Sequence, residues 1–136
     1  MPDSIDLEIA TPERLLVKEQ VSEVQIPGQD GYMGILPGHA ALLSLLGTGP
    51  LSYTIGGAKR YLSIHGGFVE VLPEQVRVLA NVAERAEEID VERARKDLQT
   101  AQEQVMNPSL GVDPAVALDA MAAAQARIDA GEKKVA

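Results

Sequence analysis

Residues Ile26–Leu51 read IPGQDGYMGILPGHAALLSLLGTGPL. Two Pro-Gly pairs, Pro27-Gly28 and Pro37-Gly38, bracket a Gly31-x-x-Gly34 step. In such a pair proline presets φ for the first corner of a turn, and glycine accepts positive φ at the second. Too little chain lies between the pairs for a long element. The spacing therefore predicts hairpins and tight corners rather than a glycine-rich catalytic loop.

Outward from this stretch, up to about residue 83, the period is two. Ile5, Leu7 and Ile9 alternate with Asp6 and Glu8. Leu51, Tyr53 and Ile55 alternate with Ser52 and Thr54, and Val76, Val78 and Ala80 do so less cleanly with Arg77 and Leu79. Alternation places one set of side chains on a core face and the other toward solvent or a partner. Gly56-Gly57 falls between two such runs as a hairpin turn, and Pro73-Glu74 breaks the next pair. About eight to ten short strands with turn signals between them predict an antiparallel β-sandwich or flattened barrel over residues 1–84.

From about residue 84 the period changes. Val91, Ala94, Leu98, Ala101 and Val105 step by three and four, as one face of a helix does. Asp90 is placed to cap its start, and Asn107-Pro108 ends it, because a residue before proline avoids the α region. Asp113-Pro114 supplies a second start, with Ala117, Met121, Ala124 and Ile128 as its stripe and Gly131 as its end. The short connection predicts an antiparallel helical hairpin over residues 85–136. Alanine-rich stripes bury little area, at roughly 25 cal/mol per Å². The hairpin is thus expected to be weakly held. From the residues alone, a displaceable hairpin and one packed permanently on the sandwich both stay open.

The composition narrows the functional classes. The chain has 136 residues, 46% of them hydrophobic, with one Phe and no Trp, so its core is built from Val, Ile, Leu and Ala. There is no cysteine, which excludes disulfides and thiolate metal sites. A formal charge of −8 argues against nucleic acid and against adsorption to anionic lipid. Roughly half of that charge lies on each side of residue 84, as on a solvated acidic surface. The N-terminus lacks a signal-peptide pattern. The longest apolar run, Ala40–Leu46, is interrupted by Ser44 and is far short of a membrane span.

Few residues suggest chemistry. His39 and His65 have no second His or Cys at ligand spacing, and Ser63 with His65 on one strand is not a nucleophile–base pair by itself. Both histidines read as structural. Gly56-Gly57-Ala58-Lys59 lacks the insert and the Ser/Thr of a Walker loop. Glu87, Glu88 and Asp90 read as helix N-terminal charge. In Ile89-Asp90-Val91-Glu92-Arg93-Ala94 an arginine one turn into a helix could meet a phosphate, although capping explains most of the segment.

Several stretches together resemble the epsilon subunit of bacterial F-type ATP synthase. They are Thr11-Pro12-Glu13-Arg14, Pro27–Leu51, His65-Gly66-Gly67-Phe68-Val69-Glu70-Val71, and Val78-Leu79-Ala80 leading into Ala83–Asp90. The resemblance spans nearly the whole chain and is strongest before residue 94. It implies a non-catalytic subunit of the proton-translocating enzyme, whose sandwich joins the gamma subunit to the c-subunit ring. It implies a hairpin that folds down or extends toward the alpha/beta catalytic head and inhibits hydrolysis there. Location at the cytoplasmic face of a bacterial inner membrane, held by partners, follows from the same resemblance. Gln29, Asp30, Gly31 and Tyr32 match the c-ring contact loop. Ile89, Asp90, Arg93 and Ala94 match an ATP motif of some relatives. Thr100 stands where such relatives carry a basic residue, and the second helix offers only Arg127 before Lys133-Lys134. Weak or no ATP binding is therefore expected, with no other cofactor, and the same scarcity of positive charge weakens the inhibitory role. The competing reading is a stand-alone β-sandwich nucleotide-binding module.

Overall fold

The computed structural model describes residues 3–133; Lys134 of the terminal Lys-Lys pair lies outside them. Eight strands are described: β1 Ile5–Ala10, β2 Leu15–Val21, β3 Glu23–Gly28, β4 Gly31–Ile35, β5 Leu42–Leu45, β6 Thr48–Ile55, β7 Ala58–Leu72 and β8 Gln75–Arg85. A single 3-10 turn, Ala86–Glu88, leads into α1, Val91–Met106; a second, Pro108–Leu110, leads into α2, Pro114–Gly131. The strands pair in the order β2-β1-β8-β7-β6-β3-β4, with β5 added to β7.

The predicted alternation is realised in β1 and β8, whereas in β6 Ser52 is buried beside Leu51, and Tyr53 and Ile55 are half-buried. Ile5, Leu7 and Ile9 are fully buried, and Val24, Ile26, Leu51, Leu62, Ile64, Val69, Val71, Val76 and Val78 join them in one aliphatic core. Gly56 and Gly57, at φ +55° and +81°, form the two-residue turn between β6 and β7. Positive φ at both central positions matches the twist of the flanking strands. One pairing departs from the antiparallel expectation: β1 runs parallel to β8. Parallel neighbours need a long crossover, and here six strands intervene between them.

Two further departures involve proline and glycine. Pro27-Gly28 is not a turn. Both residues lie in β3, facing Tyr32 and Gly31 of β4, and the chain reverses at Gln29-Asp30. Pro27 is tolerated because β6 pairs β3 only over Glu23–Gln25, so no ladder donor is missed. Gly28 is required by crowding, since a Cβ there would stand 2.7 Å from the Gly31 carbonyl oxygen. Pro37-Gly38 does turn, with Gly38 at φ +87°.

The second departure is the length of β7, which runs 15 residues through Gly66-Gly67 without losing register against β8. Both glycines have positive φ, +72° and +117°. Before them β7 pairs β6; after them it pairs β5. The bend therefore hands one strand from the first partner to the second. Gly47 is held at the same junction: its N–H donates to Pro27 O at 2.8 Å and its carbonyl accepts from Gly66 N–H at 3.0 Å.

The hairpin forms as its capping residues dictate. Asp90 accepts from Arg93 N–H at 3.1 Å, and Asp113 accepts from Ala115 N–H at 2.8 Å with Pro114 in the first helical turn. Ala94 and Ala101 of α1 face α2. Helix α2 also lies against β6 and β7, and it buries Ala117, Ala124, Ala126, Ile128 and Ala130. It is thus covered on two sides, where a single stripe was expected.

Candidate functional site

The nucleotide motif divides into packing and capping. Ile89 and Ala94 are buried. The Asp90 carboxylate is occupied as the cap of α1. The Arg93 Nε–H donates to Asp97 one turn further along, at 3.1 Å. Around them a shallow depression is lined by Asp90, Glu92, Arg93, Lys96, Asp97 and Thr100, so its carboxylates outnumber its cations. Arg127 of α2 grips Glu84 of β8 with Nε at 2.7 Å and Nη2 at 3.4 Å, and its Nη1 lies 3.6 Å from Asp97. Glu84, Arg127, Asp97 and Arg93 thus form a chain of alternating charge across β8, α2 and α1. A phosphate entering here would have to displace carboxylates already paired with these arginines, so the arrangement does not fit ATP.

The residues of the predicted contact loop lie together on the β3–β4 hairpin. Gln29, Asp30 and Gly31 are exposed at the tip of the β3–β4 hairpin, and Gln29 N–H donates to Leu45 O at 3.1 Å. Tyr32 leans back across β6, where its hydroxyl donates to Pro50 O at 2.9 Å. Its hydroxyl oxygen is the atom that a Cβ on Gly49 would strike. Partial burial, aided by the charge of Asp129 on α2, raises the Tyr32 pKa. All four residues are exposed, Tyr32 at 60%, with Tyr32 also anchored to β6 through its hydroxyl.

Sequence reasoning passed over an apolar strip. On β5, Leu43 and Leu45 are 70% and 57% exposed, and Phe68, opposite Leu45 on β7, is 43% exposed. Together with Ser44 they line a shallow groove. Leu36 and Leu72 are exposed as well. A contiguous exposed apolar surface marks an interaction site more often than a scattered leucine does. The signal lay in Ala40–Leu46, a strand-length run with no alternation.

A second set of contacts missed from sequence ties the hairpin down. His65 of β7 donates through Nε2 to Asp119 of α2 at 3.1 Å. Lys133 lies over the Tyr61 ring, 5.9 Å from its centroid. At the other end of β8, Arg14 makes a bidentate contact to Glu88, and Arg85 reaches the same carboxylate at 2.6 Å. The hydrogen bond from Arg14, reinforced by Arg85 and opposed by burial, lowers the Glu88 pKa. A depressed folded-state pKa stabilises the protein above the unfolded value, and that contribution is lost as pH falls through the folded one. Glu88→Gln should therefore lower Tm at neutral pH and bring the two proteins together as pH falls below about 4.5, so that the variant has the flatter acid limb. Parallel acid limbs for the two proteins in a thermal melt series would refute this.

No group of three or more His, Cys, Asp or Glu side chains poised for a metal occurs among the described residues. The fold is a β-sandwich with a docked helical hairpin. Family comparison agrees. Residues 4–86 match the beta-sandwich domain of the ATP synthase Delta/Epsilon chain, and residues 87–132 match its long alpha-helix domain. The chain is 60% identical over 134 residues to the ATP synthase epsilon chain of Solibacter usitatus, covering 98% of this chain and 100% of that one. It is 49% identical over 105 residues to the epsilon chain of Koribacter versatilis, covering 77% and 74%. Its fold matches a chain of the Euglena gracilis mitochondrial ATP synthase OSCP/F1/c-ring assembly, with TM-score 0.78 and 30% identity over 97% of this chain and 81% of that one. The chain belongs to the ATP synthase epsilon chain family.

Proposed function

We propose that the chain is a non-catalytic rotor subunit of a proton-translocating F-type ATP synthase, working in its central stalk. The observation that carries the reading is the exposed apolar strip of β5 beside Phe68, on a rigid sandwich that carries a separately docked hairpin. The strip supplies a gamma-subunit docking face. The Gln29-Asp30-Gly31 tip is a short polar contact for the c-subunit ring. The hairpin, seated through small residues and a few ion pairs, is the element able to leave the sandwich and reach the alpha/beta head. No described helix is long and apolar enough to cross a membrane, which is compatible with attachment through partners at the cytoplasmic face of a bacterial inner membrane.

The test is a reconstitution of alpha, beta and gamma subunits with and without this chain, followed by size-exclusion chromatography and ATP hydrolysis on the same fractions. Co-elution is the expected result, and its failure would overturn the stalk role. A chain lacking residues 85–136 should still co-elute. If the hairpin inhibits, the complex with the shortened chain should hydrolyse ATP faster; an unchanged rate would remove inhibition and leave the stalk role. The paired arginines lead to a further expectation for the free chain: titration calorimetry with ATP should give a Kd weaker than about 1 mM. Saturable micromolar binding without affinity for gamma would instead favour a stand-alone nucleotide module.

A further inference from the structure

The covalent link between sandwich and hairpin is short. Glu88, in the 3-10 turn, is held by Arg14 and Arg85 of the sandwich, and α1 begins at Val91. Between them Ile89 and Asp90 are extended, at φ −82°, ψ 127° and φ −83°, ψ 96°. Hinges are the few element-terminal residues that absorb a change of φ and ψ. A hairpin that leaves the sandwich therefore turns about Ile89 and Asp90.

The far end of the hairpin closes on this pivot. Gly131, the last residue of α2, is buried. A Cβ there would stand 2.5 Å from Val91 Cγ2, 3.1 Å from Ile89 Cγ2 and 3.4 Å from Ile89 Cβ. Its backbone thus lies against both neighbours of Asp90. Valine and isoleucine are stiff at χ1, so neither side chain swings aside easily. Glycine is a poor helix former, and Gly131 does not have a positive φ. Close approach, not backbone conformation, is therefore what glycine supplies here. The same turn of α2 is seated elsewhere too. Ile128 and Ala130 are buried, Arg95 of α1 donates to Glu132 at 3.3 Å, and Lys133 lies over the Tyr61 ring. Helix α2 also packs on the 3-10 turn that precedes the pivot.

We infer that the last turn of α2 locks the hairpin's own hinge: with Gly131 seated against Ile89 and Val91, α1 cannot swing about Ile89 and Asp90 until that turn lifts away. The functional consequence rests on the proposed reading that the hairpin leaves the sandwich. Under it, release starts at the C-terminal end of α2, and the absence of a side chain at residue 131 sets how tightly the docked form is held. The two exposed contacts, Arg95–Glu132 and Lys133–Tyr61, add little to that hold. The buried approach of Gly131 carries it.

Amide hydrogen exchange on the full chain tests the lock, because it detects rare local openings even when the docked form dominates. Wild type, Gly131→Ala, Val91→Ala and the double variant are compared at one pH. Alanine is the better helix former, so a glycine that merely ends a helix predicts slower or unchanged exchange in Gly131→Ala. The lock predicts the opposite sign. The added methyl overpacks the hinge, and amides of α1 and α2 should exchange about tenfold faster. Amides of β1 should keep a ratio near one. Val91→Ala removes the nearest obstacle, so in that background Gly131→Ala should accelerate exchange by less than about threefold. Slower or unchanged exchange in Gly131→Ala overturns the lock. Equal acceleration in both backgrounds, or acceleration that spreads to β1, overturns it as well. The measurement uses the isolated chain, whereas the stalk role is judged by co-elution, so either can fail without the other.

Discussion

Gly67→Ala is expected to cost about 3–5 kcal/mol and to lower Tm by about 10 °C or more. A Cβ at this position would lie 2.2 Å from Leu79 O and 2.8 Å from Ala80 Cα, atoms of the neighbouring β8 backbone that cannot rotate away. The residue also sits at φ +117°, where an L side chain is strained even in open space. Gly56→Ala is the matched control. Gly56 has positive φ too, +55°, but nothing lies within 4 Å of its Cβ position. It should lose only about 1–2 kcal/mol. Thermal and urea melts of the two variants separate backbone strain from collision, and equal losses would refute the collision argument. The effect extends to assembly. The bend at Gly66-Gly67 sets where β7 meets β5, so a displaced Gly67 moves the apolar strip that the stalk partner would bind.

Leu43→Asp combined with Leu45→Asp should weaken association with the gamma subunit about 1,000-fold, as expected when two interface anchors of about 2 kcal/mol each are lost. Tm should stay within about 2 °C, because substitutions at exposed positions change stability little. Both side chains are more than half exposed in the chain alone, and neither belongs to the buried core. Leu15→Asp provides the comparison. Leu15 is 55% exposed but lies on β2, at the far end of the strand order, so it should leave association unchanged. Unaltered gamma binding by the double variant in a calorimetric titration would remove this face from the interface. A large fall in Tm would show instead that the leucines support the sandwich.

Most of the fold could be read from particular residues. Ile5, Leu7 and Ile9 declared a half-buried strand, Gly56-Gly57 a hairpin, Asp90 and Asp113-Pro114 two helix starts, and Asn107-Pro108 a helix end. Each signal is local: side-chain period, φ preference and capping act within a few residues. Helix α2 was less legible. Alanine carries almost no amphipathic contrast, so Ala126 and Ala130 gave no sign of a second buried side. Pro27-Gly28 misled because a dipeptide suited to a turn also suits a strand end where no ladder donor is needed and a second backbone comes close.

The candidate surfaces were legible in part. Gln29, Asp30, Gly31 and Tyr32 stand exposed, and only the hydrogen bond from Tyr32 to the Pro50 carbonyl had no sign in the sequence. Ile89, Asp90, Arg93 and Ala94 fit the pattern of a nucleotide motif, yet their side chains are used for packing, capping and an ion pair. That outcome depends on Asp97, Glu84 and Arg127, brought together from three elements.

The sequence by itself determined that this chain makes an aliphatic β-sandwich followed by a two-helix hairpin, because periodicity, turns and caps are short-range. Only the tertiary structure decided that β1 joins β8 in parallel, that Gly66-Gly67 passes one strand between two partners, and that His65 meets Asp119. It also decided that Leu43, Leu45 and Phe68 form one exposed face. These depend on which distant backbones and side chains close packing brings together, and no local preference of the chain encodes that.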